Sequence, residues 1–206
     1  MSRRFLFVLD SHRGNGNTEL LARRAAAQLP AEWEQEWISL AEHPLPDYDD
    51  LWHGVGHTTR PEEGGNLARL FEATYAATDI VIASPVRWFS LSSRTKRYLD
   101  HWPAWLDAPG ADFGAAMAGR TLWAVTASAG DPGRIAEPLV GTLGNLAAHL
   151  RMNFGGVLHG NGTAPGDVLK DAAALAHART FFARDAPPAR FPDGFARPEP
   201  DTESAA

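Results

Sequence analysis

The stretch Ser11-His12-Arg13-Gly14-Asn15-Gly16-Asn17-Thr18 decides how the rest of the chain is read. It follows a short apolar run, Phe5-Leu6-Phe7-Val8-Leu9, and precedes a helical pattern, Glu19-Leu20-Leu21-Ala22-Arg23-Arg24-Ala25-Ala26-Ala27-Gln28-Leu29. Strand, polar glycine loop, helix is an arrangement that holds a phosphate. The first N–H groups of a helix have no partner inside it, and the helix dipole places partial positive charge at that end. An anion there gains hydrogen bonds and a favourable field. Gly14 and Gly16 let the backbone come close. Ser11, Asn15, Asn17 and Thr18 offer neutral donors, and Arg13 offers charge. The loop is not a P-loop, since no Lys followed by Ser or Thr is present, and Gly14-Asn15-Gly16-Asn17-Thr18-Glu19 lacks the last Gly of a dinucleotide fingerprint. On the loop alone, an ordinary turn in which Asn17 or Thr18 caps the helix is the other reading.

The 206 residues suit one unit with a real core. A formal charge of −6 argues against nucleic acid as the main partner. No run of about eighteen apolar residues exists, so no membrane span is expected. Met1-Ser2-Arg3-Arg4-Phe5 starts like a secretion signal, but the apolar part is short and Asp10 interrupts it. The absence of cysteine excludes disulfides, thiolate metal sites, cysteine nucleophiles and iron–sulfur clusters, and is compatible with a cytoplasmic location. Seven Trp and ten Phe point to core packing, a flat aromatic ligand or an oligomer contact.

Outward from the first loop, Trp33 to Leu40 reads as a second strand. The segment Ala41 to Gly65 is a long connector rich in Pro, Gly, Asp and His. Its His43, Asp47, Asp49, Asp50, His53 and His57 match no metal-site spacing, and no metal is expected. Trp52 either covers a ligand or anchors the loop. Asn66 to Thr78 reads as a helix, and Asp79-Ile80-Val81-Ile82-Ala83-Ser84 as a central parallel strand buried on both faces. That strand ends in a second loop, Ser84-Pro85-Val86-Arg87-Trp88-Phe89-Ser90, followed by a helix from about Ser92 to Trp102 that Pro103 stops. Gly110 to Gly119 is a connection. Arg120 to Thr126 is the fourth strand, leading into a third loop, Ala127-Ser128-Ala129-Gly130-Asp131-Pro132-Gly133. A helix through Ile135, Leu139, Leu143 and Leu150 follows, then a fifth strand at Gly155 to Gly160 and a last helix at Gly166 to Phe182. Residues 1–185 form one domain, and 186–206 a Pro- and charge-rich tail expected to be poorly ordered.

Strands that alternate with helices in this way give an α/β fold, a doubly wound parallel sheet with helices on both faces. Five strands with a phosphate loop after the first suggest the order 2-1-3-4-5. The site then lies at the carboxyl ends of the first, third and fourth strands, where the winding reverses.

Together the loops resemble those of the NAD(P)H-dependent oxidoreductases of the flavodoxin-like fold, the group of FMN reductases and related quinone reductases. That family's first loop has the sense Ser-x-Arg-x-x-Gly-Asn-Thr, matched by Ser11, Arg13, Gly16, Asn17 and Thr18. Its second has the sense Ser-Pro-x-Tyr-Trp followed by a helix with Lys and an aromatic-aliphatic-Asp segment. Here Ser84-Pro85-Val86-Arg87-Trp88 leads to Lys96-Arg97-Tyr98-Leu99-Asp100. The resemblance covers roughly Arg3 to Phe182. It implies bound FMN, with Ser11, Arg13, Asn15, Gly16, Asn17 and Thr18 at the phosphate. Pro85, Val86, Arg87, Trp88 and Phe89 would run along the isoalloxazine, and Ser128 and Gly130 would approach the ring's other edge. It implies NADPH or NADH as co-substrate, a small-molecule electron acceptor such as a quinone, flavin or dye, and a homodimer or homotetramer. The cluster Trp102, Trp105 and Leu106 belongs either to such an interface or to the chain's own core. Two positions depart from the family: Arg87 stands where Tyr is commonest, and Asp10 where Gly often precedes the Ser. A carboxylate beside a phosphate is unfavourable unless it points away or pairs with Arg13. Hydride transfer needs no acid–base residue, so no catalytic side chain is named. The rival readings are a flavodoxin-like electron carrier that does not use nicotinamide, and a non-flavin phosphate-ester-binding domain.

Overall fold

The computed structural model describes residues 2–11, 14–51, 61–130 and 132–195. Its strands are β1 (Arg4–Leu9), β2 (Glu34–Ser39), β3 (Asp79–Ala83), β4 (Thr121–Ser128) and β5 (Asn153–Asn161). All pair in parallel, in the order β2-β1-β3-β4-β5. The helices are α1 (Asn17–Ala26), α2 (Asn66–Ala76), α3 (Ser93–Asp100), α4 (Trp102–Leu106), α5 (Phe113–Met117), α6 (Pro132–Ile135), α7 (Glu137–His149) and α8 (Ala172–Ala178). This is the flavodoxin-like arrangement expected from the loops.

Successive strand residues point to opposite faces, and the sheet is apolar on both. Leu6, Val8, Ile80, Ile82, Leu122 and Ala124 pack on one side with Leu70, Tyr98, Leu139 and Leu143 of α2, α3 and α7. Phe5, Phe7, Val81, Trp123 and Val125 pack on the other with Leu21, Ala22, Ala174 and Ala178 of α1 and α8. Trp102 and Trp105 are buried in this chain's own core, edge-on to Tyr98 and Phe113. The winding therefore reverses between β1 and β3, with α1 leaving toward one face and α3 toward the other. That reversal opens the crevice described below.

Several local expectations change. Pro103 does not stop α3. It sits in the first turn of α4, where its missing N–H costs nothing. The connection 110–119 contains α5, capped by Asp112, whose side chain accepts from Ala115 N. The last helix is broken into a 3-10 turn at Asp167–Lys170, α8 and a second 3-10 turn at Phe181–Ala183. Asp171 makes the break, because its carboxylate accepts from Ala174 N at 3.0 Å and so starts α8 afresh. The tail starts in order: Phe154 N donates to Pro187 O and Ala189 N to Met152 O, both at 2.9 Å. Phe191 and Phe195 then stack at 4.5 Å.

β5 carries a bulge opposite β4, between the pairs Leu122–Phe154 and Ala124–Val157. Gly156 takes the left-handed conformation there, at φ 82°. Its neighbour Gly155 is required for a different reason. A Cβ at that position would lie 2.0 Å from Cε3 of Trp123. The indole cannot retreat, since its Nε1 donates to Asp79 at 2.9 Å and Phe181 and Phe182 pack edge-on against it. Gly155→Ala is expected to cost about 3 kcal/mol. Thermal unfolding should then show Tm lowered by roughly 6–12 °C.

Candidate functional site

The loop after β1 turns at Asn15, which is left-handed at φ 63°. Asn tolerates that conformation better than most residues. Neither Gly14 nor Gly16 adopts it; Gly16 is the extended cap of α1, at φ −64° and ψ 157°, and brings no side chain to the helix start. The first-turn N–H groups of α1 thus have no partner from the helix or its cap side chain. Glu19 braces the loop from below: its Oε2 accepts from Asn15 N at 3.2 Å and its Oε1 from Arg23 Nε at 2.9 Å. Arg13, expected to bring charge, lies outside the described residues.

Asn17 spends its side chain elsewhere. Its Nδ2 donates to Ala164 O at 2.9 Å, and its Oδ1 accepts from Val168 N at 3.4 Å. The amide clasps the loop after β5 against the start of α1. Gly162 in that loop is needed for the fit, as a Cβ there would lie 2.9 Å from Val168 N and 3.0 Å from Asn17 Nδ2.

Asp10 points away from the loop it precedes. It is 1% exposed, and its Oδ2 accepts from Ser92 Oγ, from Thr95 N at 3.1 Å and from Thr95 Oγ1 at 3.3 Å. Its Oδ1 lies 3.6 Å from Arg94 Nη1. Ser92 is the residue before α3 but does not cap it. Asp10 performs that capping from across the sheet. Ser92 N also donates to Ser84 Oγ at 3.1 Å, so β1, β3 and α3 meet in one polar knot.

Beyond Ser84, Arg87 and Ser90 exchange backbone hydrogen bonds at 2.9 and 3.0 Å around a tight turn. Its two central residues, Trp88 at φ 48° and Phe89 at φ 66°, are both left-handed. A turn of this kind usually takes Asn-Gly, so two bulky aromatics here hold strain. Trp88 is 94% and Phe89 52% exposed. Val86 instead packs against the core.

These elements surround a cavity of about 500 Å3, which is within the size range of small-molecule sites. Ser11, Gly16, Asn17 and Thr18 line it from the first loop, Pro85 and Arg87 from the second, and Asp10 and Ala127 from the ends of β1 and β4. Of the other expected residues, Asn15, Val86, Trp88, Phe89, Ser128 and Gly130 flank the cavity in sequence without being among its lining. Gly130 is left-handed at φ 92°, and a Cβ there would lie 2.8 Å from Ile135 Cδ1. The fourth wall is one the motifs of the first three loops do not point to: Gly162, Thr163 and Pro165 of the loop after β5. Its signal was a run of turn residues, Asn161-Gly162-Thr163-Ala164-Pro165-Gly166, at a strand's carboxyl end.

The surrounding charges are fixed by specific bonds. Lys170, then the Ala164 N–H, hold Asp167 below the usual carboxylate range. The Ala174 N–H, then the Asn161 N–H, do the same for Asp171. His159, whose Nε2 is 2.7 Å from Ser128 Oγ, is pushed down by burial, with Asp171 acting against that shift. In the long connector, His43 Nδ1 bonds Ser39 O at 3.0 Å and Asp47 pairs with Arg97 at 2.7 Å. Among the described residues no three His, Cys, Asp or Glu side chains stand together as a metal site. Trp52, His53 and His57 lie outside the described residues.

An uncapped helix start beside a cavity of about 500 Å3 with Arg87 in its lining fits a ligand with a phosphate at one end and a larger group at the other. Residues 3–157 match the family described as NADPH-dependent FMN reductase. YwqN of Bacillus subtilis (strain 168), named an NAD(P)H-dependent FMN-containing oxidoreductase, is 28% identical over 173 residues, covering 84% of this chain and 92% of that protein. Among solved structures, the Trp repressor binding protein from Bacillus subtilis superposes with a TM-score of 0.69 at 22% identity, over 89% of this chain and 99% of that one. An FMN-dependent NADH-azoreductase from Bacillus anthracis str. Ames Ancestor, in complex with FMN, superposes with a TM-score of 0.62 at 13% identity, over 86% and 96% of the two chains.

Proposed function

Because the chain belongs to the NADPH-dependent FMN reductase family, we propose that the cavity at the start of α1 holds FMN and that a second small molecule is reduced over its rim. The protein is an NAD(P)H-dependent flavin oxidoreductase with FMN as cofactor. FMN bound there would supply the hydride-accepting and electron-donating chemistry. The chain's own residues bind and orient. The N–H groups of Asn17 and Thr18, with Ser11 and Arg13, take the phosphate. Pro85 and Arg87 flank the ring system, and Ser128 and Gly130 stand at its far edge. Arg87 favours negative charge at the rim, which suits an anionic or quinone-type acceptor. A quinone, a free flavin or an azo or nitro dye is the acceptor class this reading supports. The exposed pair Trp88 and Phe89 is apolar surface suited to a second copy, in a homodimer or homotetramer. No helix among the described residues is long and apolar enough to cross a membrane.

The observation that carries the reading is the position of the cavity, against an uncapped helix start and between the β1 and β3 loops. The purified protein should be yellow, or become so with FMN. Under anaerobic conditions NADPH or NADH alone should bleach it, and a quinone or dye should restore the colour. A preparation that neither retains FMN nor quenches its fluorescence on mixing overturns the reading.

A further inference from the structure

We propose that His159 is a positioning residue of the flavin site: it fixes the Ser128 hydroxyl at the end of β4 and takes up a proton when negative charge develops in the cavity. The inference rests on the FMN reading above. Its first support is geometric. Ser128 follows Ala127, which lines the cavity, and its carbonyl accepts from Gly162 N at 3.1 Å, another lining residue. Its side chain is held at 2.7 Å by His159 Nε2. Backbone and side chain are thus both pinned beside the cavity, and the second pin titrates.

The imidazole belongs to a small polar group on an otherwise apolar face. Residues two apart on a strand share a face, so His159 stands beside Val157, which packs with the apolar core under α7. Opposite His159 in register is Thr126, fully buried, whose hydroxyl has no hydrogen-bond partner among the described residues. Thr126 and Ser128 share that face. Two hydroxyls and an imidazole interrupt an otherwise apolar surface at the end that meets the cavity.

The charges around His159 leave it responsive. Burial disfavours its charged form, and Asp171, at the start of α8, opposes that. On its own face, α6 and α7 bring Arg134 and Glu137, both exposed, and His149 at the far end of α7. β4 brings no charged residue. On the opposite face Asp167 and Lys170 are paired at 3.0 Å, and Glu19 and Arg23 at 2.8 Å. At neutral pH the imidazole is therefore uncharged and can accept a proton.

The balance closes. NAD(P)H gives up a hydride and leaves as NAD(P)+, so the cavity gains one negative charge. A proton from water onto the imidazole offsets it. When the hydride passes to the second substrate, the charge leaves and the proton returns to water or to the product. Negative charge nearby raises a histidine pKa, and by linkage that proton uptake eases the arrival of the charge.

The test follows the imidazole itself by NMR. Its signal, identified by its loss in His159→Gln, is titrated in FMN-free protein, in FMN-loaded protein, and in loaded protein reduced with dithionite. The expected midpoint lies below the ordinary value without FMN and rises by about one unit on reduction. Ser128→Ala should shrink that rise, because the hydroxyl carries the coupling. An equal midpoint in the oxidised and reduced forms of visibly yellow protein overturns the proposal and leaves the FMN reading intact. A colourless protein overturns both. His159→Gln, which keeps a hydrogen-bonding group but does not titrate, should bind FMN while flattening the pH dependence of its reduction potential. An unchanged pH dependence counts against the proposal.

Discussion

Asp10→Ala is expected to lower the stability of the protein by about 3 kcal/mol, one of the largest single-residue effects in the molecule. The carboxylate is buried, and the alanine would leave the N–H of Thr95 without its acceptor and the hydroxyls of Ser92 and Thr95 with only each other and Ser84 Oγ. Hydrogen bonds to a buried charge contribute about 1.5–3 kcal/mol each, and a lost helix cap about 1 kcal/mol, but neighbours do not add. Arg94 contributes little, since its guanidinium is 3.6 Å away and a third exposed. For a chain of this length the loss corresponds to a Tm lower by roughly 6–12 °C. Asp10→Asn should lose less, as the amide oxygen can still accept from Thr95 N. Thermal unfolding of both variants decides the matter. A Tm for Asp10→Ala within about 2 °C of the wild type would mean that the knot joining β1, β3 and α3 does not hold the loops.

The second large effect concerns the ligand. Riboflavin, which lacks only the phosphate, should bind at least about 100-fold more weakly than FMN. The start of α1 presents N–H groups with no internal partner and the positive end of its dipole. Two hydrogen bonds to a charged group supply about 3 kcal/mol or more, and 1.4 kcal/mol is tenfold in affinity. Titration of flavin fluorescence against the protein measures the ratio. Equal affinities would place the phosphate away from α1 and remove the basis for assigning Asn17 and Thr18 to it.

The fold was legible because its signals are local. The β-branched run at 79–83 reads as a buried parallel strand from composition alone, and the 11–18 loop reads as a helix start. The strand order followed from where that loop sits. What escaped was non-local or sterically subtle. Asp10 looked like a liability beside a phosphate because its acceptor role depends on Thr95, which lies 85 positions away in the chain. The glycines of the first loop drew attention, yet the left-handed residue is Asn15. The period of residues 166–182 looked continuous, because nothing in a hydrophobic pattern shows that Asp171 will start the helix a second time. The Gly162–Pro165 wall is illegible for the same reason: turn residues mark a bend and say nothing about what the bend leans on. Trp88 and Phe89 read as ring contacts from the sequence, and nothing local shows that a left-handed turn leaves both exposed.

The clasp between Asn17 and the segment around Val168 joins positions 151 apart. During synthesis, then, the anion-holding loop leaves the ribosome long before the wall that completes it. A nascent chain has the helix start and no enclosure. A chain cut short before Gly162 would lack this wall, and with it the segments of 168–182 that cover one face of the sheet.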